Sequence, residues 1–328
     1  MTLKTLKTAA APVFLFTSIL IAAAGPLDAG VFDALKALSG GAVPFTPSLS
    51  HLPPDRLNPA ARPLKVYFIN VGQGDSTYIE LPDGKNALID GGPDKSETGN
   101  LALFLSSHSV TRIDNVVLTH PHSDHYTGLQ YVFSKMPVSN FFDTQVDNAA
   151  ATGDEAVRTL AAGAHIVHPS AGDTLPWDEN EVGVKVLNAC SFSVVSSSSQ
   201  FINDCSIVLR ITYQNISMLF TGDMQDDVEA GLVKQYGGEL KSEVLKVGHH
   251  GSRYSSSDAF LAAVQPHDAY VSVGQNNYGH PTPSCLARLK KAGAVVRRTD
   301  LDGTMEYAIG GTDISPSAAA DGLVPLKY

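Results

Sequence analysis

Between residues 118 and 129 the chain reads LTHPHSDHYTGL, which sets His120, His122, Asp124 and His125 within six positions. Imidazole nitrogen and carboxylate oxygen are the donors that zinc and related divalent ions take, and a catalytic ion keeps one position open for water. From an extended segment His120 and His122 point the same way, while Asp124 and His125, across a tight turn, serve a second position. Taken alone, the stretch supplies two half-sites that cannot close. Further donors stand at the ends of apolar runs downstream: Asp223 after MLFTG, His249 and His250 after VLKVG, and His280 in YVSVGQNNYGHP. Two ions about 3.5–4 Å apart need a bridging group from such a set.

Each of these groups follows an apolar run and so falls in a loop at a strand end, where a rigid sheet presents side chains to a site. The run RIDNVVL reads as a buried strand and YTGLQYVFSKM as the helix after it. Upstream, LKVYFINVG and STYIELPDGKNALIDGG read as strands with a hairpin around Pro82-Asp83-Gly84-Lys85, followed by a helix near 98–108. Downstream come the short strands NFFDT, AHIVHP and VGVKVLNA, a helix around 154–162, and a second hairpin turning at Gln214-Asn215. Then SEVLKVGHH precedes the helix SSDAFLAAV, DAYVSVG precedes PSCLARLKKAG, and AVVRRT is the last strand. Two β-rich halves, each followed by helices, predict an α/β fold of two facing sheets with helices outside. His51, His108, His165, His168 and His267 lack comparable company and read as ordinary surface histidines.

With 328 residues, 43% of them hydrophobic, the chain can bury one large core. A net charge of −10 excludes a sequence-wide basic coat for nucleic acid. The exception is the window 245–300, where seven Lys and Arg face three Asp. No aromatic run marks a platform for stacking bases, and no repeat points to a solenoid. Cys190, Cys205 and Cys285 form no CxxC pair, which excludes a zinc knuckle and permits at most one internal disulfide. Residues 1–24, with two lysines, an apolar stretch and Ala22-Ala23-Ala24, read as a secretory signal, or as an uncleaved N-terminal anchor. The expected location is the periplasm or the exterior. Residues 25–63 read as a Pro/Gly/Ala-rich linker, 64–309 as the folded domain, and 310–328 as a loosely held polar tail. No later segment approaches a membrane span, and no signature of an oligomeric partner is visible.

From Leu64 to Tyr307 the blocks FINVGQGDSTYIELPDGKNALIDGG, LTHPHSDHYTGL, NDCSIVLRI, LFTGDM, LKVGHHGSRYSSS and VGQNNYGHP occur in an order that resembles the metallo-β-lactamase fold superfamily. More narrowly they resemble the β-lactamase-like domain of the competence protein ComEC and its stand-alone secreted relatives. The resemblance implies the four-layer αββα sandwich and a metal-dependent hydrolase holding one or two ions, zinc or alternatively manganese. It implies that Asp90, in LIDGG, supports the histidine loop, and that Asp223 bridges. Many members place a third histidine of the first site where this chain reads FINDCSIVL, so His120 and His122 would be completed by Asp204, water or substrate. In the order seen in ribonuclease Z, His280 would join Asp124, His125 and Asp223 at the second ion, with His249 as the alternative ligand, and His249 or His250 would protonate the leaving group.

The reaction so implied is hydrolysis of a phosphodiester by metal-activated hydroxide, with Asp124 as ligand and orienting group and His249 as general acid. Lys246, Ser252 and Arg253, flanking the histidine pair, and Asn203 are the candidates for holding substrate, and the Gly-rich VGQGDS and HHGS loops allow close backbone approach. The resemblance implies a nucleic-acid substrate. Two readings stand beside it: a small-molecule ester, lactone or phosphodiester hydrolase, and a non-catalytic surface binding module that retains the fold.

Overall fold

The computed structural model describes residues 63–178, 181–310 and, for the backbone alone, 313–318. The signal or anchor expected at 1–24, nearly all of the linker at 25–63, and His51 lie outside the described residues. In chain order the first strands are β1 (Leu64–Phe68), β2 (Thr77–Glu80), β3 (Asn86–Ile89), β4 (Ile113–Leu118), β5 (Val138–Asp143), β6 (Val146–Asn148) and β7 (His165–Val167). They are followed by β8 (Val182–Asn188), β9 (Val194–Ser196), β10 (Val208–Tyr213), β11 (Ile216–Phe220), β12 (Val244–Lys246), β13 (Asp268–Val271), β14 (Val295–Arg298), β15 (Met305–Gly310) and β16 (Asp313–Ala318).

One sheet has the order β16-β15-β1-β2-β3-β4-β5-β7, the other β14-β13-β12-β11-β10-β8, and β6 pairs with β9 apart from both. The inner faces share one core: Val66, Phe68, Ile79 and Val117 of the first sheet pack with Val184, Ile211, Phe220 and Tyr270 of the second. At its centre Phe68 stacks on Tyr270 with ring centroids 4.0 Å apart. The outer face of the first sheet is covered by helices Asn100–Ser107, Ser123–Lys135 and Gly153–Leu160, and that of the second by Asp226–Tyr236, Asp258–Val264 and Pro283–Lys291. This is the αββα sandwich. It explains why β4 is buried along its length, since it lies between parallel neighbours under layers on both faces.

The C-terminal end departs from the sequence reading. β15 pairs antiparallel with β1, and 313–318, expected within a loose tail, pairs with β15. The signal is the alternation in MEYAI, where Met305, Tyr307 and Ile309 are buried in the core, and pairing there covers the β1 edge. A further element the sequence reading lacks is helix Ser199–Asp204, whose start is capped by Ser198 accepting a hydrogen bond from the Phe201 amide. A Cys190–Cys205 disulfide ties its C-terminal end to the stretch after β8, and Cys285 is buried and free. Among the described residues no helix is long and apolar enough to cross a membrane.

Candidate metal centre

Two sets of parallel strands bring the chemistry to one end of the sandwich. β3, β4 and β5 run parallel in the first sheet, and β11, β12, β13 and β14 in the second. Asp90 follows β3, the histidine loop follows β4, Asp223 follows β11, and the His249-His250 pair follows β12. Helix Ser123–Lys135 begins inside the motif, and the stripe that packs it on the sheet, Leu129 and Val132, includes His125 on the first turn. The helix lies so close that a Cβ at Gly128 would run into the Gly91 carbonyl, and one at Gly74 into that of Asp124. His249 and His250 both have left-handed backbones, φ 47° and 51°, a conformation costing roughly 1–2 kcal/mol for each non-glycine residue. It turns the two imidazoles toward the cluster.

Three histidines are anchored through Nδ1 and present Nε2. His125 Nδ1 lies 2.8 Å from Asp90 Oδ2 and therefore donates to it. Thr119 donates its hydroxyl proton to the same carboxylate oxygen at 2.8 Å, so the 3.0 Å contact with His120 is His120 Nδ1–H donating to Thr119 Oγ1. His250 Nδ1 donates to the Ser272 carbonyl at 2.9 Å. The free faces converge: His125 Nε2 is 3.4 Å, His250 Nε2 3.5 Å and His120 Nε2 3.8 Å from Asp223 Oδ2, and His250 Nε2 is 3.3 Å from Asp124 Oδ2. His120, His125, His250 and Asp223 are at most 2% exposed. Buried polar atoms are normally hydrogen-bonded, yet Nε2 of His125 and of His250 and Oδ1 of Asp223 have no such partner. Two ligand triads, His120-His125-Asp223 and Asp124-His125-His250, are tight enough to hold a divalent ion. Donor types and orphaned atoms both fit such an ion.

The matching family model, described as Metallo-beta-lactamase superfamily, covers residues 69–184, which include the whole histidine loop and Asp90. Competence protein ComA of Neisseria gonorrhoeae is 31% identical over 242 residues, 74% of this chain and 32% of that protein. ComE operon protein 3 of Bacillus subtilis (strain 168) is 29% identical over 262 residues, 74% of this chain and 33% of that protein. Residues 69–184 therefore match the metallo-beta-lactamase superfamily, and the sandwich is its fold. The chain spans about a third of the length of these two relatives. The superfamily is one of metal-dependent hydrolases, and the cluster described above is a candidate site for its divalent metal.

Electrostatics in this site follow from burial set against crowded charge. Burial disfavours a charged His125 or His250, but Asp223 with Asp90 for the first, and Asp223 with Asp75 for the second, hold both imidazoles well above their ordinary pKa. His120, buried and beside His125, is pushed well below it, and burial lowers His122 and His249 too. Burial works against an ionised Asp124, yet the close approach of His250 Nε2 at 3.3 Å and the charges of His125 and His250 prevail and hold it below the usual carboxylate range.

The structure brings His250, not His280, to Asp124, His125 and Asp223. His280 is half-buried with its ring 5.3 Å from that of His249, and burial with the charges of His249 and His250 pushes it down to about 4. His249 lines the pocket with Nε2 3.8 Å from Asp223. At the first half-site, His122 Nδ1 is 3.0 Å from His120 Nε2 and its Nε2 3.3 Å from Ser199 Oγ. Asp204 does not complete it: this carboxylate takes a hydrogen bond from the Gln225 backbone, because helix Ser199–Asp204 turns it away from the histidines. Asn203 is buried and does not line the pocket. Lys246, expected to hold substrate, is 3% exposed and paired with Asp75, and Ser252 is buried with its hydroxyl accepting from the Tyr254 amide. Arg253 stays exposed. His165, His168 and His267 are exposed and His108 stacks on Phe104, all outside the cluster.

Asp75, Thr119, Ser199 and Ser272 are contributors the sequence reading misses. Asp75 Oδ1 sits 3.3 Å from His250 Nδ1, and the Asp75 amide donates to the Asp124 carbonyl. Its signal was the acid closing VGQGD just before β2. The pocket above the cluster measures about 260 Å³ and is lined by His122, Asp124, Asp223, His249, Tyr278 and His280 among others. A larger cleft of about 800 Å³ shares Gln73 with it but is lined by amides, glycines, Asp94 and Asp300 without a histidine, so the chemistry belongs to the smaller one.

Proposed function

We propose that the protein is a phosphodiesterase acting on nucleic acid outside the cytoplasm. The observation that carries this is the convergence of His125 and His250 Nε2 with Asp223 and Asp124, beneath a pocket whose wall is His249. His125, His250, Asp124 and Asp223 would hold one divalent ion, zinc or manganese, and His120 with His122 would contribute to a second. A bound ion supplies Lewis acidity at the phosphoryl oxygen and lowers the pKa of water. The side chains do the rest. Asp124, 29% exposed and facing the pocket, accepts a hydrogen bond from the attacking water and orients it. As the new O–P bond forms and the ester P–O bond breaks, the attacking water gives up a proton through Asp124 to solvent, and His249 in its protonated form delivers one to the departing oxygen. Asp90, Thr119 and the Ser272 carbonyl keep His125, His120 and His250 in the tautomer that presents Nε2.

Nucleic acid as the substrate class is supported by the likeness to a protein named for competence. Export is supported by the Cys190–Cys205 disulfide, since such bonds persist in oxidising compartments. The test is cleavage of single-stranded DNA and of bis(p-nitrophenyl) phosphate by the purified chain with Zn²⁺ or Mn²⁺, against Asp124→Ala. Metal-dependent cleavage lost in the variant is the expected result. Cleavage that survives the substitution would overturn the reading.

A further inference from the structure

We infer that Tyr278 stacks on a nucleobase next to the scissile phosphodiester, and that the substrate is therefore single-stranded. This rests on the phosphodiesterase reading and specifies its substrate. At about 260 Å³ the pocket over the metal cluster falls below the roughly 300–1,000 Å³ of sites that engulf a whole small molecule. It has room for the group being cut, so the bases on either side lie at its rim.

Tyr278 stands at that rim. It lines the pocket yet is 74% exposed, the most exposed of the large hydrophobic side chains described. Its ring meets that of His280 at 5.9 Å and is otherwise presented to solvent. The backbone beneath it is fixed: Asn276 Oδ1 accepts from the amides of Tyr278 and His280, both at 3.1 Å, and Asn276 Nδ2 donates to the Gly274 and His280 carbonyls, both at 2.9 Å. An aromatic ring held outward on a pinned loop costs little order when a flat partner lands on it.

The charge beside it suits a polyanion. Of the seven basic residues in 245–300, Lys246 is buried against Asp75, Lys291 pairs with Asp258, Arg297 with Asp268 and Arg298 with Asp300, Arg288 binds the carbonyls of Arg253, Ser255 and Ser256, and Lys290 is exposed on helix Pro283–Lys291. Arg253 remains exposed, close enough for its charge to act on His280, with its guanidinium 6.0 Å from the ring of Tyr254, itself 54% exposed. An open aromatic face at the rim of a phosphodiester pocket, with an exposed cation in electrostatic reach of it, makes a stacking platform for unpaired bases; in a duplex those base faces are already covered.

The test uses the full chain carrying Asp124→Ala to prevent cleavage, in Mn²⁺, with two labelled strands of equal length and charge, oligothymidylate and its abasic counterpart. Fluorescence anisotropy should show tighter binding of the base-bearing strand. Tyr278→Ala should abolish that preference, weakening oligothymidylate roughly 5- to 150-fold, and Tyr278→Phe should keep it. A parent without base preference, or Tyr278→Ala retaining it, would overturn the inference. Hydrolysis of bis(p-nitrophenyl) phosphate by the metal-loaded wild type separates the two failures. If hydrolysis is absent, the phosphodiesterase reading falls; if it is present without base preference, only the stacking role does.

Discussion

Asp75 and Lys246 form an ion pair behind the metal cluster, with Nζ 2.5 Å from Oδ2 and neither side chain more than 6% exposed. The other oxygen of Asp75 faces His250 Nδ1 at 3.3 Å, so the pair backs the histidine whose Nε2 enters the cluster. Removing one member of a buried pair leaves a lone charge in a poorly polarisable interior, which costs about 3–5 kcal/mol. Lys246→Met should lower stability by about that amount in urea unfolding, and Asp75→Asn added to it should restore a large part. An unchanged unfolding midpoint in the single variant would contradict the burial of this pair.

His250 and His280 differ in what their loss should do to bound metal. His250 Nε2 faces both Asp124 and Asp223, whereas the His280 ring packs on His249. Elemental analysis of the purified variants should find His250→Ala depleted of metal and His280→Ala near wild-type stoichiometry. The reverse pattern would move the ligand role back to His280.

That distinction is also where sequence reading stops. The cluster from His120 to His125 is legible because an apolar run in front of it and a helix behind leave its side chains one place to go. Asp223 is legible for the same reason at the end of β11. Which of three downstream histidines turns inward depends on backbone dihedrals, the left-handed φ of His249 and His250, and no spacing encodes those. Lys246 and Arg253 look alike as basic neighbours of the pair, but the end of β12 buries one against Asp75 and the loop after the pair leaves the other exposed. Tyr278 gives no signal in isolation, since its meaning comes from the pocket it borders. β15 announces itself only as three alternating apolar residues in a stretch rich in small polar ones.

Asp143 supplies a pH dependence away from the metal cluster. Burial raises its carboxyl to about 6 from an ordinary 3.8, against the opposing charge and hydrogen bond of Arg158 at 2.5 Å. Between those two values the folded chain keeps a proton that the unfolded chain has lost, so stability falls as pH rises through the window. The loss reaches at most about 3 kcal/mol. Arg158 also binds Asp147 and Asp154, so Asp143→Asn leaves the guanidinium partnered. Denaturation of wild type and Asp143→Asn from pH 4 to 6.5 should show the difference between them shifting in the variant's favour as pH rises. A constant difference would place Asp143 at an ordinary pKa.

The Cys190–Cys205 bridge should matter to both the fold and the first half-site. It closes a loop of 15 residues, for which restriction of the unfolded chain is worth about 3 kcal/mol. Helix Ser199–Asp204 lies within that loop and sets Ser199 Oγ 3.3 Å from His122 Nε2, while His125, His250, Asp124 and Asp223 come from segments outside it. Cys190→Ser/Cys205→Ser should therefore unfold at lower urea and weaken the site at His120 and His122 more than the one at His250. Titrating metal-free protein with Zn²⁺ would resolve this as a loss confined to the weaker of two binding steps. If both steps weaken equally, the bridge acts on the whole cluster rather than through the Ser199 helix.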